Sequence, residues 1–288
     1  MPQLTIFTPT YNRANLLPRL YNSLKHQTNK DFTWMVIDDG STDNTSEVIS
    51  HFTDVHITYV RNNHGGKHRA HNTGVKLCKT ELFVCVDSDD YLSDLAVEKI
   101  LNRWSKVKKY RQIAGIVSPR QQNGYRPVLP CNNGDVTTLH ELYNKGFVGE
   151  TTLAFRTEVL QEFPFPEFEG ENFITEAVVY DRIDCKYQLS CLSDWLTIGQ
   201  YQEDGLTAKS MALMIQNPNG WALFFNQRSA TLPTLKKRVK AAGQYLTFAK
   251  MAHQRHILPN AIKPHYVLAS IPWALLYYRH HLIKSTAL

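Results

Sequence analysis

Hydrophobic and polar positions in the first hundred residues follow two periods in turn. Short apolar runs predict buried strands, and the stretches between them show apolar residues at helical spacing. The predicted strands cover residues 4–8, 32–37, 56–60 and 82–86. The predicted helices cover residues 16–24, 45–52, 66–77 and 93–104. Strands that alternate with helices predict an α/β domain whose central sheet is mixed, mainly parallel and flanked by helices.

The pattern is less regular in the second half of the chain. Strands are predicted over 113–119 and 151–155, and a short helix over 139–144. From Met211 the pattern becomes helical, so we expect a main domain over 1–210 and a helical C-terminal extension over 211–288. One apolar stripe at helical spacing consists of Leu235, Val239, Ala242, Leu246 and Ala249. The opposite face carries Lys236, Lys237, Arg238 and Lys240.

Composition excludes general disorder and leaves the partner open. Hydrophobic residues make up 43% of the 288 positions and charged residues 20%, so the chain has enough apolar side chains for a substantial core. The net charge of +6 fits an anionic ligand, an anionic membrane surface or nucleic acid, and equally a solvated basic surface. Because the basic residues are dispersed and form no recognised motif, we expect no nucleic-acid partner.

Cysteine usage and the ends of the chain bear on its location. The five cysteines are scattered and lack CxxC spacing, which argues against a zinc or redox site and fits a reducing cytoplasm. The first residues enter a strand directly, without the pattern of a secretory signal. The longest apolar stretch, 267–278, is short for a membrane span and contains Pro272. A cytoplasmic protein is expected, with the inner face of the membrane as an alternative site.

Polar and small residues follow each of the four early strands. In an open α/β sheet, ligands bind outside the carboxyl ends of the strands, so these segments should share one rim. The four segments are Thr8 to Arg13, Asp38 to Ser41, Arg61 to Lys67, and Asp87 to Asp90.

Three carboxylates lie within four residues at the end of the fourth strand, on Asp87, Asp89 and Asp90. Carboxylates this close repel one another, so burying them together is costly without a cation. Mg²⁺ and Mn²⁺ take oxygen ligands and bridge carboxylates to phosphates. The alternative is a helix N-terminus, where acidic residues are also favourable.

The other strand ends carry weaker signals. A carboxylate of Asp38 or Asp39 could accept hydrogen bonds from a base or a ribose, or the segment could be an ordinary DG turn. Tyr11 could offer an aromatic face to a base or pack at a strand end. The segment from His64 to Lys67 could bring amides and a cation to phosphates, although its spacing is not that of a P-loop. A flexible turn is the alternative.

Taken together, these segments resemble the inverting glycosyltransferases of family 2, which have the GT-A nucleotide-sugar-binding fold. The order and intervals of the pieces match over roughly the first 110 residues. The matching pieces are Thr8-Pro9-Thr10-Tyr11-Asn12-Arg13, Val36-Ile37-Asp38-Asp39-Gly40-Ser41-Thr42-Asp43, Asn72-Thr73-Gly74 and Val86-Asp87-Ser88-Asp89-Asp90-Tyr91.

The resemblance implies roles for particular residues. Asp39 would contact the base, and Asp87 and Asp89 would form the DxD pair, with Asp87 toward the ribose and Asp89 on the metal. UDP-sugars are the commonest donors of the family. The candidate donor-binding residues are Thr8, Pro9, Tyr11, Arg13, Asp39, Lys67, Asp87 and Ser88.

The family places its general base on a carboxylate in the second half, often within a Glu-Asp pair. This chain lacks the pair, because Glu176 is followed by Ala177. Glu176 is our candidate base, with Asp181 and Glu171 as alternatives, and an exposed helix residue is the other interpretation of Glu176. The polar cluster 201–207 would be either a loop that closes over the donor diphosphate or a surface turn.

The sequence therefore predicts a metal-dependent inverting glycosyltransferase. A UDP-sugar and a divalent cation, Mn²⁺ or Mg²⁺, would be its ligands, and a hydroxyl of a glycan or lipid-linked acceptor would receive the sugar in surface polysaccharide or glycolipid assembly. A nucleotidyltransferase and a catalytically silent nucleotide-sugar-binding module are the alternatives. The basic stripe near Lys236 and the segment 267–278 would either touch a membrane peripherally or simply be a solvated helix face and core packing.

Overall fold

A mixed sheet organises the first part of the protein in a computed structural model, which describes residues 2–200 and 210–285. Within these residues, ten strands form one sheet, and the main path runs β3-β2-β1-β4-β8-β6-β10-β5. The strand β9 pairs with β6 and β7 beside that path. The strands are β1 (Leu4–Thr10), β2 (Phe32–Asp38), β3 (Ile57–Arg61), β4 (Leu82–Cys85), β5 (Asp90–Leu92), β6 (Ile113–Gln122), β7 (Val136–Thr137), β8 (Glu150–Arg156), β9 (Gln188–Cys191) and β10 (Thr197–Gly199).

Helices separate most of the early strands, as expected for crossover connections between parallel strands. They are α1 (Leu17–Lys25), α2 (Thr45–Ser50), α3 (Lys67–Leu77), α4 (Ala96–Val107), α5 (Leu139–Asn144), α6 (Thr157–Glu162), α7 (Ala177–Asp184), α8 (Ser210–Gln216), α9 (Pro218–Thr231), α10 (Leu235–Met251) and α11 (Pro264–Ser285).

The core of the sheet explains why these runs are strands. Every residue of β1 and of β2 is buried, as expected for strands covered on both faces. The apolar face of α1, with Leu17, Leu20 and Leu24, packs into the same hydrophobic cluster as Trp34 and Trp104. This burial anchors the strands whose ends carry the polar segments.

The register of the sheet brings the polar strand ends to one edge. β1 lies between β2 and β4, and all three run parallel, with Thr10 opposite Asp38 and Phe7 opposite Cys85. β8 runs antiparallel to both β4 and β6. β6 therefore points the same way as β4, and its C-terminal end, with Arg120, reaches the edge where Asp87 follows β4.

Chain contacts divide the protein into two units. The first consists of residues 1–165 and 179–203, and the second of 166–178 and 204–288. The mixed, mainly parallel sheet with flanking helices and the helical C-terminal region confirm the predicted fold class. The domain boundary after residue 210 stays a prediction, and the two units differ from it by placing 166–178 with the helices.

The helices of the second unit bury more of α10 than the predicted stripe, of which Ala242 and Ala249 lie in the core. Leu235 is 63% exposed, so the predicted stripe does not begin in the core. The buried positions of α10 instead gather in its second half, where Tyr245 and Phe248 join Phe225 of α9. The reason is tertiary: α9 and α11 both pack against α10, and this buries more than one face over 241–249.

A disulfide joins Cys131 to Cys191 at the end of β9. The two cysteines are 60 residues apart, a separation that gives no local sequence signal. Disulfides are rare in reducing compartments, so this bond is not what the expected cytoplasmic location predicts. Among the described residues, none of the helices combines the length and apolar character that crossing a membrane requires.

Candidate active site

Three carboxylates gather where β4 ends. Asp87 follows the strand, and Asp90 begins β5 after a turn closed by the hydrogen bond from Asp90 N to Asp87 O at 3.0 Å. Asp87, Asp89 and Asp90 each offer a carboxylate oxygen, and these atoms lie within 4.8 Å of one another. Ser88 is buried within this turn, and Arg19 donates to the carbonyl oxygen of Asp89. The geometry therefore assembles a compact set of hard oxygen ligands.

Two cations compensate part of this negative charge. Lys67, the first residue of α3, places Nζ 2.7 Å from Oδ1 of Asp87. Arg120 of β6 places Nη2 2.6 Å from Oδ1 of Asp90 and Nη1 2.9 Å from Oε2 of Glu150. Asp90 and most of the Arg120 side chain are buried. The guanidinium thus links the carboxylate cluster to the first residue of β8.

The pKa values of the three carboxylates show that the two cations offset only part of their burial and mutual repulsion. Burial acts to raise the pKa of Asp87, but Lys67 and then Arg120 outweigh it and hold that pKa below its ordinary value. Burial, followed by the charge of Asp87, raises the pKa of Asp89. Burial raises the pKa of Asp90 to about 8 against the pull of Arg120, and the neighbouring carboxylates add to the shift. Two of the three carboxylates therefore lack sufficient positive charge nearby.

This donor set fits a divalent cation. Hard ions such as Mg²⁺ and Mn²⁺ are bound by carboxylate oxygens, and a second positive charge would relieve the mutual repulsion of Asp87 and Asp89. The predicted metal ligands Asp87 and Asp89 lie together, and Asp90 joins them. Their assignment as ligands stays a prediction.

Asp39 holds the start of α3. Its Oδ1 accepts a hydrogen bond from Gly65 N at 2.9 Å, and its Oδ2 accepts one from Gly66 N at 2.8 Å. Nδ1 of His64 lies 2.9 Å from the same Oδ2. Gly66 has a φ of +95°, a backbone conformation that favours glycine. Asp39 is therefore a buried anchor for this turn, and its predicted contact with a base would use its remaining lone pairs.

Tyr11 stands exposed beside this turn. Its ring stacks on the ring of His64, with centroids 4.2 Å apart and planes 25° from parallel. The following residue, Asn12, has a φ of +52°, and its side-chain oxygen accepts a hydrogen bond from Thr42 N at 2.7 Å. A groove of about 390 Å³ lies alongside. It is lined by Gly40, Arg61, Asn62, Asn63 and His64.

The other predicted donor-binding residues occupy the same strand end with different exposure. Thr8 is fully buried, and its hydroxyl accepts a hydrogen bond from Trp34 Nε1 at 3.0 Å. Pro9 is buried within β1, and Arg13 is half-buried just beyond it. The structure thus brings Tyr11, Asp39, Lys67 and Asp87 to one edge of the sheet, while the side chain of Thr8 faces the core.

Arg120 and Glu150 were not predicted. Arg120 lies one residue beyond the predicted strand 113–119, and Glu150 immediately precedes the predicted strand 151–155. Strand-end position was the signal that could have found them. The antiparallel pairing Arg120–Glu150 is a non-local fact that the local pattern does not contain.

The candidate bases have distinct surroundings. In the second unit, both carboxylate oxygens of Glu171 accept hydrogen bonds from backbone amides at the start of α9, from Asn219 N at 2.6 Å and Gly220 N at 2.9 Å. In the first unit, Asp181 is buried with Oδ1 3.5 Å from Nε2 of His140. Glu176 is half-buried immediately before α7, and its role stays a prediction. The predicted loop 201–207 lies outside the described residues.

Sequence comparison identifies the family. A family model described as "Glycosyl transferase family 2" matches residues 5–163, more than half of the chain, so the chain belongs to glycosyl transferase family 2. A curated relative is the chondroitin synthase of Pasteurella multocida (strain Pm70), which is 36% identical over 110 residues. That match covers 38% of this chain and 11% of the relative, so the chain corresponds to only a small part of it.

Structural comparison confirms the GT-A fold. S. aureus TarS 1–349 in complex with UDP-GlcNAc superposes with a TM-score of 0.64 at 19% identity, covering 86% of this chain and 72% of that one. The mannosyltransferase PcManGT from Pyrobaculum calidifontis, in complex with GDP-Man and Mn²⁺, gives a TM-score of 0.56 at 17% identity, covering 99% of this chain and 83% of that one. At these identities the likeness concerns the fold.

Proposed function

We propose that this protein transfers a sugar from a nucleotide-sugar, a UDP-sugar by preference, to a hydroxyl of a glycan or lipid-linked acceptor, with inversion at the anomeric carbon. Surface polysaccharide assembly is the process in which we place it. The observation that carries the proposal is the carboxylate cluster of Asp87, Asp89 and Asp90, set on the same sheet edge as Asp39 and Tyr11. The neighbours bound to UDP-GlcNAc and to GDP-Man with Mn²⁺ support a nucleotide-sugar and a divalent cation.

In this mechanism the residues of the chain position positive charge where negative charge develops on the leaving nucleotide diphosphate. Asp87 and Asp89 would hold the cation, which when bound stabilises the negative charge left on the nucleotide diphosphate. Lys67 contributes a further positive charge beside Asp87, at the N-terminus of α3. Asp39 fixes the Gly65–Gly66 turn, and Tyr11 offers an exposed ring for a base. Glu176 remains our candidate for the base that takes the acceptor proton.

The acceptor would bind on the side of Arg120 that faces away from the carboxylate cluster. The chain between Arg120 of β6 and Glu150 of β8 carries exposed side chains, among them Tyr125, Val128 and Val148 in loops and Tyr143 in α5. The two tyrosine hydroxyls lie 3.5 Å from the carbonyl oxygens of Val148 and Gly149. Exposed apolar patches of this kind mark binding surfaces, and tyrosine rings suit the apolar faces of sugars.

The test of donor and cation is protection against heat. We expect one nucleotide-sugar, with Mn²⁺ present, to raise the melting temperature, because a ligand selective for the folded state stabilises it by mass action. EDTA should remove the effect, and Asp89→Asn should weaken it at least tenfold in ligand concentration. No stabilisation by any UDP- or GDP-sugar with either Mn²⁺ or Mg²⁺ would contradict the proposal.

Turnover separates an enzyme from a silent binding module. With the stabilising donor, the wild type should release the nucleoside diphosphate in the presence of a glycan acceptor. Tyr125→Ala should raise the KM for the acceptor severalfold and leave the donor KM unchanged. Donor binding without nucleotide release, across a panel of glycan and lipid-linked acceptors, would favour the silent module instead.

A further inference from the structure

Charge is distributed very unevenly along the chain. Residues 205–288 contain eleven Lys and Arg and no Asp or Glu, whereas residues 1–204 contain 21 basic and 26 acidic side chains. The net charge of +6 is therefore the sum of −5 over residues 1–204 and +11 over residues 205–288. Such a block of one sign attracts an anionic partner at long range.

Exposed aliphatic side chains interrupt this basic stretch within residues 255–272, which we call the interfacial segment. The four aliphatics are Leu258 at 39% exposure, Ile262 at 50%, Leu268 at 54% and Ile271 at 41%. Arg255 and His265 are exposed among them, and Lys263 is half-exposed. Large aliphatics that alternate with cations on a surface are the composition of segments that lie in a membrane interface.

Hydrogen bonds and buried side chains attach the inner side of the interfacial segment to α9 and α10. Asn226 of α9 donates from Nδ2 to Asn260 O and accepts from Ile262 N, both at 2.9 Å. Tyr245 of α10 donates its hydroxyl to Ile257 O at 2.7 Å. In α11, Val267, Ser270 and Ala274 are buried. The inner side of the segment is thus occupied by protein contacts, and its aliphatics remain on the outer side.

The nearby cations are placed against the electrostatic preference of their helix. Lys236 and Lys237 are exposed in the first turn of α10, which has no acidic residue. A helix N-terminus carries partial positive charge, so cations there destabilise the helix. Nζ of Lys240, one turn further along α10, lies 5.9 Å from the ring centroid of Trp273, which puts this cation beside α11. Helix stability does not explain these lysines, whereas an external anion would.

We propose that the interfacial segment, together with the α10 lysines 236, 237 and 240, binds the surface of a bilayer that contains anionic phospholipid. The cations match the negative headgroups, and the aliphatics enter the boundary between headgroups and acyl chains. A soluble polyanion would satisfy the cations but would leave Leu268 and Ile271 exposed to water. The combination of both chemistries therefore favours a lipid surface, independently of the enzymatic activity proposed above.

Vesicle sedimentation with the full chain tests this proposal. We expect binding to phosphatidylcholine vesicles that contain 30% phosphatidylglycerol, at least tenfold weaker binding to pure phosphatidylcholine, and weakening by NaCl as charges are screened. Two variants probe the two chemistries separately: Lys236→Gln/Lys237→Gln/Lys240→Gln and Leu268→Ser/Ile271→Ser. Each should weaken binding at least tenfold while its circular dichroism spectrum and melting temperature stay close to those of the wild type.

The matched control is Lys76→Gln/Lys106→Gln/Lys145→Gln, which removes three exposed lysines from the first unit. It should bind vesicles as the wild type does. An equal loss in the control, unchanged binding in both test variants, or equal affinity for neutral vesicles would overturn the proposal. So would binding to dextran sulfate but not to vesicles, which would identify a soluble polyanion. If the serine variant does not fold, the lysine variant and the vesicle comparison still decide.

Discussion

Asp39 illustrates how one buried carboxylate can shape a binding edge. Its two oxygens accept the amides of Gly65 and Gly66, which lie immediately before α3 and Lys67. Backbone amides at a helix start are the groups that receive phosphates and other anions. Whatever Asp39 contributes directly to a nucleotide, it also fixes the backbone on which Lys67 stands.

We expect Asp39→Asn to damage both stability and donor binding. The carboxamide presents only one oxygen, so one of the two amides loses its acceptor, at a cost of about 1–3 kcal/mol in the free energy of unfolding. The UDP dissociation constant in Mn²⁺ should rise at least tenfold, because the turn that carries Lys67 loosens. Urea unfolding and UDP titration measure the two effects. Asp94→Asn, the same change at an exposed position, should alter neither quantity.

His71 predicts a dependence of stability on pH. Its ring is buried against Phe7, Phe83 and Phe165, and this burial, with the charge of Lys67 second, lowers its pKa to about 3. Unfolded histidine titrates near pH ~6.5. Between pH ~3 and pH ~6.5, His71 is protonated in the unfolded chain and neutral in the folded chain. The fold therefore keeps this stability above pH ~6.5 and loses up to ~1.4 kcal/mol per pH unit as the pH falls toward 3.

His71→Phe removes this titration and keeps an aromatic ring of similar size. The difference in unfolding free energy between variant and wild type should be constant above pH 7 and should move in favour of the variant below pH 6. Urea unfolding at pH 7.5, 6 and 5 measures it, with the pH 7.5 value as the baseline for any packing effect. An identical difference at pH 7.5 and pH 5 would show that His71 is not a buried neutral group.

At the scale of elements, the disulfide links the loop at Cys131 to the end of β9. Closing a loop of 60 residues restricts the unfolded chain, so reduction should lower the free energy of unfolding by about 2–4 kcal/mol. Dithiothreitol should shift the urea midpoint of the wild type downward and leave Cys131→Ser/Cys191→Ser unaffected. Cys185→Ser, at an exposed thiol, should respond as the wild type does. Five free thiols in the unreduced protein would contradict the bond.

Local patterns were sufficient for the elements that carry the candidate site. The first four strands and the helices between them follow from apolar runs and helical spacing, and parallel pairing then brings Asp38 and Asp87 to one edge. The pattern could not reveal β5 and β10, three-residue strands that exist because Gly199 pairs with Asp90. Nor could it show that Arg120 reaches Asp90, because that ion pair depends on how distant strands are ordered in the sheet.

At the scale of the whole molecule, the basic charge of the C-terminal stretch lowers the stability of a helix start where, by our proposal, it promotes binding to vesicles. The helix α5 begins with a capping box. The side chain of Thr138 accepts a hydrogen bond from Glu141 N, and the side chain of Glu141 accepts one from Thr138 N. The helix α10 begins with half of such a box, because the hydroxyl of Thr234 accepts a hydrogen bond from Lys237 N at 3.4 Å. Lys237 occupies the position where a glutamate would complete the box. Proteins break local rules of this kind at functional sites. A vesicle-binding role would make Lys237 part of such a site.

Lys237→Glu should therefore stabilise the protein while it weakens vesicle binding. The carboxylate would complete the capping box and complement the positive end of α10, together adding about 0.5–1.5 kcal/mol to the free energy of unfolding. Binding to anionic vesicles should fall at least tenfold, because a cation near the lipid becomes an anion. Glu141→Lys, the reverse change on α5, should destabilise and leave vesicle binding intact. A Lys237→Glu protein that is less stable, or binds vesicles as before, would remove the reason for a lysine at this helix start.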